Sequence, residues 1–445
     1  MTNSSTATPQ PEVLILGAGM AGLAAARSLL EQGIGVCVLE ARDRVGGRIH
    51  TLQTAEGVVE LGAEFVHGRP PELWSLIEEA EAKTAQRGGS MLRESPDGEL
   101  CEDDRMEDGD LFDPLEQLAS LQSDATFADW LTTSKVPQQQ RPALRGYVEG
   151  FNAADANRIS AMSLGIQQKA EDSIEGDRAW HVLGGYSGLA TFLANRVHEL
   201  GGEIRLNCAV RSVDWTPGDV KVETPAGVIS APRCIVALPL GVLQQINREG
   251  CIRFNPEPQA LVHARRLAMG TAERFTMVFR EHWWERSPRL NTKALHRMSF
   301  LFTSGRTPPV WWTSNPEFEA LPKLTGWAGG PRAQALAGRS AAELGDAACR
   351  ELSEVFTLPE QVVRDALIAT HRHDWSTDPF SRGAYSYVPA GALDAPSNMA
   401  RPEAATLFFA GEHTDITGHW GTVHAALRSG LRAAKQIQLA FFEAR

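Results

Sequence analysis

No stretch of the sequence approaches 18 uninterrupted apolar residues, so it predicts no membrane span. Cysteine is scarce. The six residues (Cys37, Cys101, Cys208, Cys234, Cys251, Cys349) form no C-x-x-C pair and no Cys/His cluster with zinc spacing. They predict isolated, reduced thiols in a cytoplasmic protein, and no metal is expected. A long Lys/Arg run is also missing. With 43 Lys+Arg against 55 Asp+Glu the net charge is −12, and the basic stripe that marks a nucleic-acid binder is absent. The first residues (MTNSSTATPQP) have no apolar core and read as a loose tail rather than a signal peptide. Internal repeats and low-complexity segments are absent too.

What is present is ordinary globular material: 445 residues, 43% hydrophobic and 22% charged, enough for two or three domains. The acidity favours a cationic partner, although a modest carboxylate surplus also serves solubility. Residues 12–17 (EVLILG) read as a buried parallel strand. G-A-G-M-A-G follows (Gly17, Gly19, Gly22), then an Ala/Leu-rich helix ending at Gly33, then a second apolar run ending in Glu40. Strand, glycine turn, helix, strand and acid make a nucleotide-binding βαβ unit. Gly17 permits the tight turn, Gly19 lets the backbone approach a pyrophosphate, and Gly22 allows close packing of helix on strand. The helix N-terminus offers unpaired N–H groups to phosphate. Glu40 can accept ribose hydroxyl protons and would repel a 2′-phosphate, which disfavours NADP.

Residues 70–181 read as helical and polar, with an acidic, solvated loop at 102–110. Short β-like runs fill 204–240. A second β-like region at 274–320 carries Trp283, Trp284, Trp311 and Trp312, and a helical stretch follows at 340–357. The last block is a strand at 405–411, a loop, and a helix from about Thr422 to Phe442. A late apolar strand ending in Gly-Glu makes sense if the nucleotide domain is discontinuous and its last elements return to the first unit.

Seven further motifs occur in order: LEARDRVGGR (39–48), ELGAEFVHG (60–68), VLGGYSGL (182–189), VALPLGVL (236–243), RGAYSYV (382–388), FFAGEHT (408–414) and GTVHAALRSG (421–430). With them the chain resembles the flavin-dependent amine oxidases, the family of monoamine oxidases, polyamine oxidases and lysine-specific histone demethylases, over about residues 12–440. The resemblance implies an α/β fold, with a Rossmann-like FAD-binding domain (8–70, 182–258, 402–445) interleaved with a substrate domain of mixed sheet and helices (71–181, 259–401). It implies FAD rather than NAD, held non-covalently because no matching flavin-linking cysteine stands by the C-terminal motif. Glu40 would hold the adenosine ribose. Arg42, Gly46, Gly47 and Arg48 would follow the pyrophosphate and ribityl chain, with Gly62 and Ala63 beside them. Val210 would offer backbone groups to adenine, and Gly411 and Glu412 would meet the ribityl–phosphate region. The backbone of Thr422 and Val423 would meet the flavin ring, where a helix N-terminus favours negative charge.

On the substrate side the resemblance places Tyr385 and Thr422 as the two walls flanking the amine, with Trp375 and Phe380 as aromatics near the flavin. Monoamine oxidases carry Tyr at the second wall, so this cage is more open. His67 falls where some polyamine oxidases contact substrate; a satisfied structural histidine is the other reading. Glu64 stands where amino-acid oxidases place Arg, so it would repel a carboxylate and attract an ammonium. Glu171 and Asp172 are further candidates for a distal ammonium, against the plainer reading of a solvated face. One departure matters: the family's flavin-side lysine, which holds a water and speeds reoxidation by O₂, is Arg274 here. Arginine keeps its proton and presents a planar fork, so the exchange is not conservative.

The implied function is oxidation of an amine C–N bond by hydride transfer to flavin. The product is an imine that hydrolyses to a carbonyl compound, and O₂ returns the flavin with H₂O₂ as product. Other readings stay open: a desaturase or cyclising oxidase of a larger biosynthetic substrate, a dehydrogenase slow with O₂ because of Arg274, or a flavoprotein kept as a binding module. The expected partners are a small amine and O₂, with no nucleic acid; the sequence leaves the oligomeric state open.

Overall fold

The structure, a computed structural model, describes residues 10–95, 97–102, 113–245, 251–303, 305–314 and 320–443. The N-terminal tail and nearly all of the acidic 102–110 loop lie outside the described residues; only Glu102, the end of a short strand, lies within them.

The apolar run at the start forms β1 (Val13–Leu16), the helix is α1 (Met20–Leu30), and the second run is β2 (Val36–Leu39). Both strands are buried along their whole length, as expected for a parallel sheet covered on both faces. The sheet has five parallel strands in the order Glu203–Arg205, β2, β1, Arg233–Val236, Leu407–Phe409. In register, Leu16 pairs with Leu39 and Val236, and Val236 with Phe409. Strands from the beginning, middle and end of the chain thus share one sheet. α1 packs against the final helix (Val423–Glu443) and the Ser187–Glu199 helix, burying Leu23, Leu29, Leu189, Leu193 and Ile437 in one core.

A second sheet of seven strands is mixed: Leu367–Arg372, Ala272–Phe279, Lys323–Gly329, Val310–Thr313, Met298–Phe302, Ser90–Glu94 and Leu100–Glu102. Ser90–Glu94 pairs parallel with Met298–Phe302. This differs from the helical reading of 70–181. The stretch SMLRE has a half-polar pattern that looks unlike a strand until its long-range partner is known. Trp283 and Trp284 also fall outside the strands, on a single 3₁₀ turn after the chain leaves Phe279. They are fully buried against Phe279 and Phe356, so they build core. A helical layer, Phe127–Thr133, Arg141–Phe151 and Ala161–Asp172, covers the third side. Among the described residues no helix is long and apolar enough to cross a membrane.

Candidate active site

A cavity of about 2490 Å³ runs from the Gly17–Gly19 turn, past Glu40 and Val210, to the second sheet and the helical layer. Its inner end is a nucleotide cradle. Gly17 turns with φ +102°, a conformation open to glycine. A Cβ on Gly22 would stand 1.9 Å from the Gly17 carbonyl, so only glycine lets α1 start there. Gly19, the N-cap of α1, has open space where a Cβ would be, and no side chain caps the helix. The first N–H groups therefore face the cavity without a side-chain partner, which suits phosphate. Glu40 is 4% exposed and accepts from the Ala18 and Arg42 backbone N–H groups at 2.8 and 3.0 Å. Those contacts fix its carboxylate at the cavity edge. Gly46, Gly47, Gly62, Ala63 and Gly411 line the same wall. The residues present fit a dinucleotide.

The arginines are already committed. Arg42 donates to Asp378 (2.8 Å) and Ser381 (2.9 Å), and its guanidinium lies 5.4 Å from the Phe380 ring centre. Phe380 therefore stands with Arg42, and no ring contact joins it to the Tyr385 group among the described residues. Arg48 donates to Glu412 and to the Ala384 carbonyl at 2.8 and 2.9 Å. Glu412 also accepts from Ser386 Oγ (2.5 Å) and the Gly421 N–H (3.0 Å). Burial alone would raise the Glu412 carboxyl, but Arg48 and these donors outweigh it and hold it below the usual carboxylate range.

The outer end is aromatic. Ring contacts run from Tyr147 to Phe151 (5.5 Å), His67 (5.8 Å) and Phe65 (5.9 Å), and on to Trp312 (5.5 Å), Trp327 (6.1 Å) and Tyr385 (6.5 Å). Trp327 and Tyr385 lie nearly parallel, 10° apart. Tyr385 Oη donates to the Phe151 carbonyl at 2.5 Å, and Trp327 Nε1 to the Gly150 carbonyl at 3.0 Å. Burial pushes the Tyr385 hydroxyl up, so it keeps its proton, and pushes His67 down to about 4, so it is neutral at pH 7. Trp375 donates to the Leu61 carbonyl at 2.8 Å and also lines the cavity. Of this set the sequence pointed to Tyr385, His67 and Trp375. Trp327, Phe151 and Phe65 were missed, because no local spacing reveals that distant segments meet.

Two readings change. Glu64 is not an open receptor for ammonium. Arg274 donates to its Oε2 at 2.5 Å and to the Gly62 carbonyl at 2.5 Å, while Trp312 Nε1 donates to the same carboxylate at 3.0 Å. Burial would raise Glu64, but Arg274, His181 and Arg87 hold it below its ordinary value. Arg87, buried and lowered to about 10, bonds the Thr313 and Ser299 carbonyls. Two guanidiniums, Arg274 and Arg87, thus stand around this carboxylate. Thr422 is the other change: its hydroxyl donates to the His419 carbonyl (2.7 Å) and accepts from the Ala425 N–H (3.2 Å). It caps the final helix. The side chain is therefore occupied; Thr422 and Val423 both line the cavity. Glu171 and Asp172 also line it, at the end of the Ala161–Asp172 helix.

Comparison with known proteins follows the same lines. The chain is 28% identical to polyamine oxidase 4 of Oryza sativa subsp. japonica, over 96% of this chain and 88% of that protein. It is 27% identical to lysine-specific histone demethylase 1B of Mus musculus, over 96% of this chain but 52% of that protein. Putrescine oxidase bound to putrescine shares the fold with a TM-score of 0.81 at 22% identity, covering 97% of this chain and 100% of that one. Cyclohexylamine oxidase from Brevibacterium oxydans IH-35A also has a TM-score of 0.81, at 21% identity, covering 98% and 100%. The family model for flavin-containing amine oxidoreductases matches residues 20–438, nearly the whole chain; the chain belongs to that family, an enzyme whose cofactor is FAD.

Proposed function

We propose that the protein oxidises the C–N bond of an amine whose reacting end lies among Tyr385, Trp327 and His67. The observation that carries this is one continuous cavity joining the phosphate cradle at Gly17 and Gly19 to that aromatic wall. When bound, the flavin supplies the hydride acceptor and returns the electron pair to O₂ as H₂O₂. The chain's own part is positional. Tyr385 and Trp327, tied to the backbone of one helix end, hold the amine in a dry aromatic slot. Neutral His67 and protonated Tyr385 add no charge, which suits a neutral reacting amine. The N–H groups at Thr422 and Val423, where the final helix starts, favour electron density beside them. On this reading residues 8–70, 182–258 and 402–445 form the cofactor domain, and 71–181 and 259–401 the substrate domain. The test is anaerobic mixing with spermine, spermidine, benzylamine and tryptamine. At least one should bleach the flavin absorbance; bleaching by none rejects the reading for those classes.

Glu171 and Asp172 are the proposed receptors for a distal ammonium. Burial pushes Glu171 up to about 7, and Asp172 pushes it the same way. The receptor charge therefore appears as pH rises through about 7. The ratio of kcat/KM for a diamine to that for a monoamine should rise about tenfold from about pH 6 to about pH 8. In Glu171→Gln the ratio should stay flat; a wild-type ratio without pH dependence removes Glu171 from recognition.

A second reading, a dehydrogenase slow with O₂, is favoured by the Arg274–Glu64 pair. Arg274 spends its two terminal nitrogens on Gly62 and Glu64 and keeps only its buried Nε without a partner, so a water on it would not sit where a lysine ammonium holds one. Arg274→Lys should speed reoxidation of reduced enzyme about tenfold, roughly 1.4 kcal/mol of barrier, in stopped-flow mixing with O₂. An unchanged rate would mean that position 274 does not govern the oxygen step.

A further inference from the structure

The Ala161–Asp172 helix ends against the loop that leads into the final helix, and three ligand-type side chains meet there. Glu171 comes from the last turn of the first helix, His419 from the loop, and His424 from the first turn of the final helix. One ligand atom of each lies within 4.8 Å of the other two. His419 and His424 are 4% and 2% exposed, and their rings meet edge-on with centroids 4.8 Å apart. The Nε2 atoms of both are buried without a hydrogen bond of good geometry, although the Ala170 backbone lies within reach of the His419 ring. The unpartnered His424 nitrogen, facing a second imidazole in one buried place, calls for an occupant, since buried polar atoms are rarely left unpaired.

The occupant's chemistry follows from the donors. Burial lowers both imidazoles, His424 to about 2, so at pH 7 they offer lone pairs rather than charge. Thr417 Oγ1 lies 2.9 Å from His419 Nδ1, and in the tautomer that donates from Nδ1 to Thr417 the lone pair of Nε2 is bare. Arg428 stands 3.0 Å from the same Nδ1, but Glu72 at 2.5 Å and Thr417 provide it with other acceptors. Two neutral imidazoles and a carboxylate suit a borderline divalent ion such as zinc or cobalt, and not calcium or magnesium. Zinc needs its donors about 2.0–2.2 Å away. The half-buried Glu171 side chain borders the cavity, so it has room to swing inward and complete the set.

We propose that Glu171, His419 and His424 bind a divalent transition metal of the zinc class, which pins the end of the Ala161–Asp172 helix to the start of the final helix. The spacing His-x₄-His with a glutamate some 250 residues earlier matches no local zinc signature, which is why the sequence predicts no metal. The site stands on this geometry; a metal there would hold Glu171 ionised and away from an ammonium, so the pH-dependent ratio given above is expected of the metal-free protein.

The test uses the flavin-loaded protein after dialysis against a chelator, titrated with Zn²⁺ and, separately, with Co²⁺. Expected are one ion per chain by elemental analysis, a raised melting temperature, and the visible d–d band of four- or five-coordinate Co²⁺. His419→Ala and His424→Ala should each abolish the Co²⁺ band. Glu171→Gln should weaken Zn²⁺ affinity by at least about tenfold, whereas the control Glu175→Gln should not change it. Absence of a stoichiometric ion in the wild type, or a wild-type Co²⁺ spectrum in either histidine variant, would overturn the site. Flavin absorbance and circular dichroism check that each variant is folded; if one histidine variant fails that check, the wild type and the other variant decide.

Discussion

Glu412→Ala is expected to lower the stability of the folded protein by about 3–5 kcal/mol and to leave it nearly colourless after purification. The carboxylate is 3% exposed and collects four donors: Arg48, the Ser386 hydroxyl, the Ser386 N–H and the Gly421 N–H. Removing it strands the partly buried Arg48 guanidinium without a counter-ion and leaves the Gly421 N–H unpaired. These groups border the cavity between the Arg48 loop and the approach to the final helix. The cofactor wall therefore loosens along with the fold. Glu412→Gln keeps the shape but exchanges acceptors for a donor, and should lose about half as much. Denaturant midpoints and the flavin absorbance per chain read both effects. The same depressed carboxyl fixes the sign of an acid effect. Its stabilisation is present above the ordinary carboxylate range and disappears as the pH falls through the lowered value. The wild type should lose flavin on acidification, and Glu412→Gln should show less of that pH dependence. Full colour and unchanged stability in Glu412→Ala would contradict this account of the wall.

The second large effect belongs to the buried pair 210 residues apart in sequence, Glu64 and Arg274. Arg274→Met leaves Glu64 with Trp312 as its direct donor, and Glu64→Gln leaves two guanidiniums facing no carboxylate in the cluster. Each single change should destabilise by about 3–5 kcal/mol, because a lone buried charge is far costlier than a matched pair. The double variant should recover most of this, since replacing a whole buried pair is often neutral. Purely additive losses in the double-mutant cycle would mean that the two side chains do not act as a pair. The cycle also separates structure from chemistry: Arg274→Lys keeps a cation beside Glu64, so any change in reoxidation there cannot be attributed to an unpaired carboxylate.

How far the sequence carried the reading depends on how far apart the cooperating residues lie. Gly17, Gly19, Gly22 and Glu40 do their work within one βαβ unit, so their spacing is itself the geometry. The parallel pairing of β1 with β2 was legible for the same reason. Tyr385, Trp375 and His67 were reached only through motif resemblance. Trp327 and Phe151 sit opposite Tyr385 because three separate segments converge, and nothing in the order of residues reports that. Glu64 looked like an ammonium receptor until its neighbour was known; a carboxylate's role is decided by which charge reaches it first. Thr422 looked like a cage wall because of its position in a motif, yet the start of a helix needs its hydroxyl more. Trp283 and Trp284 looked like strand residues because aromatic residues favour strands, yet a single turn buries both against Phe279.

The order of strands in the five-stranded sheet has a consequence for how the protein comes into being. Arg233–Val236 has β1 on one side and Leu407–Phe409 on the other. During synthesis the first four strands are complete long before the fifth leaves the ribosome. The growing chain must therefore carry a sheet with one open hydrogen-bonding edge, while α1 lacks the final helix that covers it. The phosphate cradle is finished early, but the Glu412 wall and the Thr422–Val423 backbone are delivered last. Whatever the cradle holds before those segments arrive, it holds without the Glu412 wall.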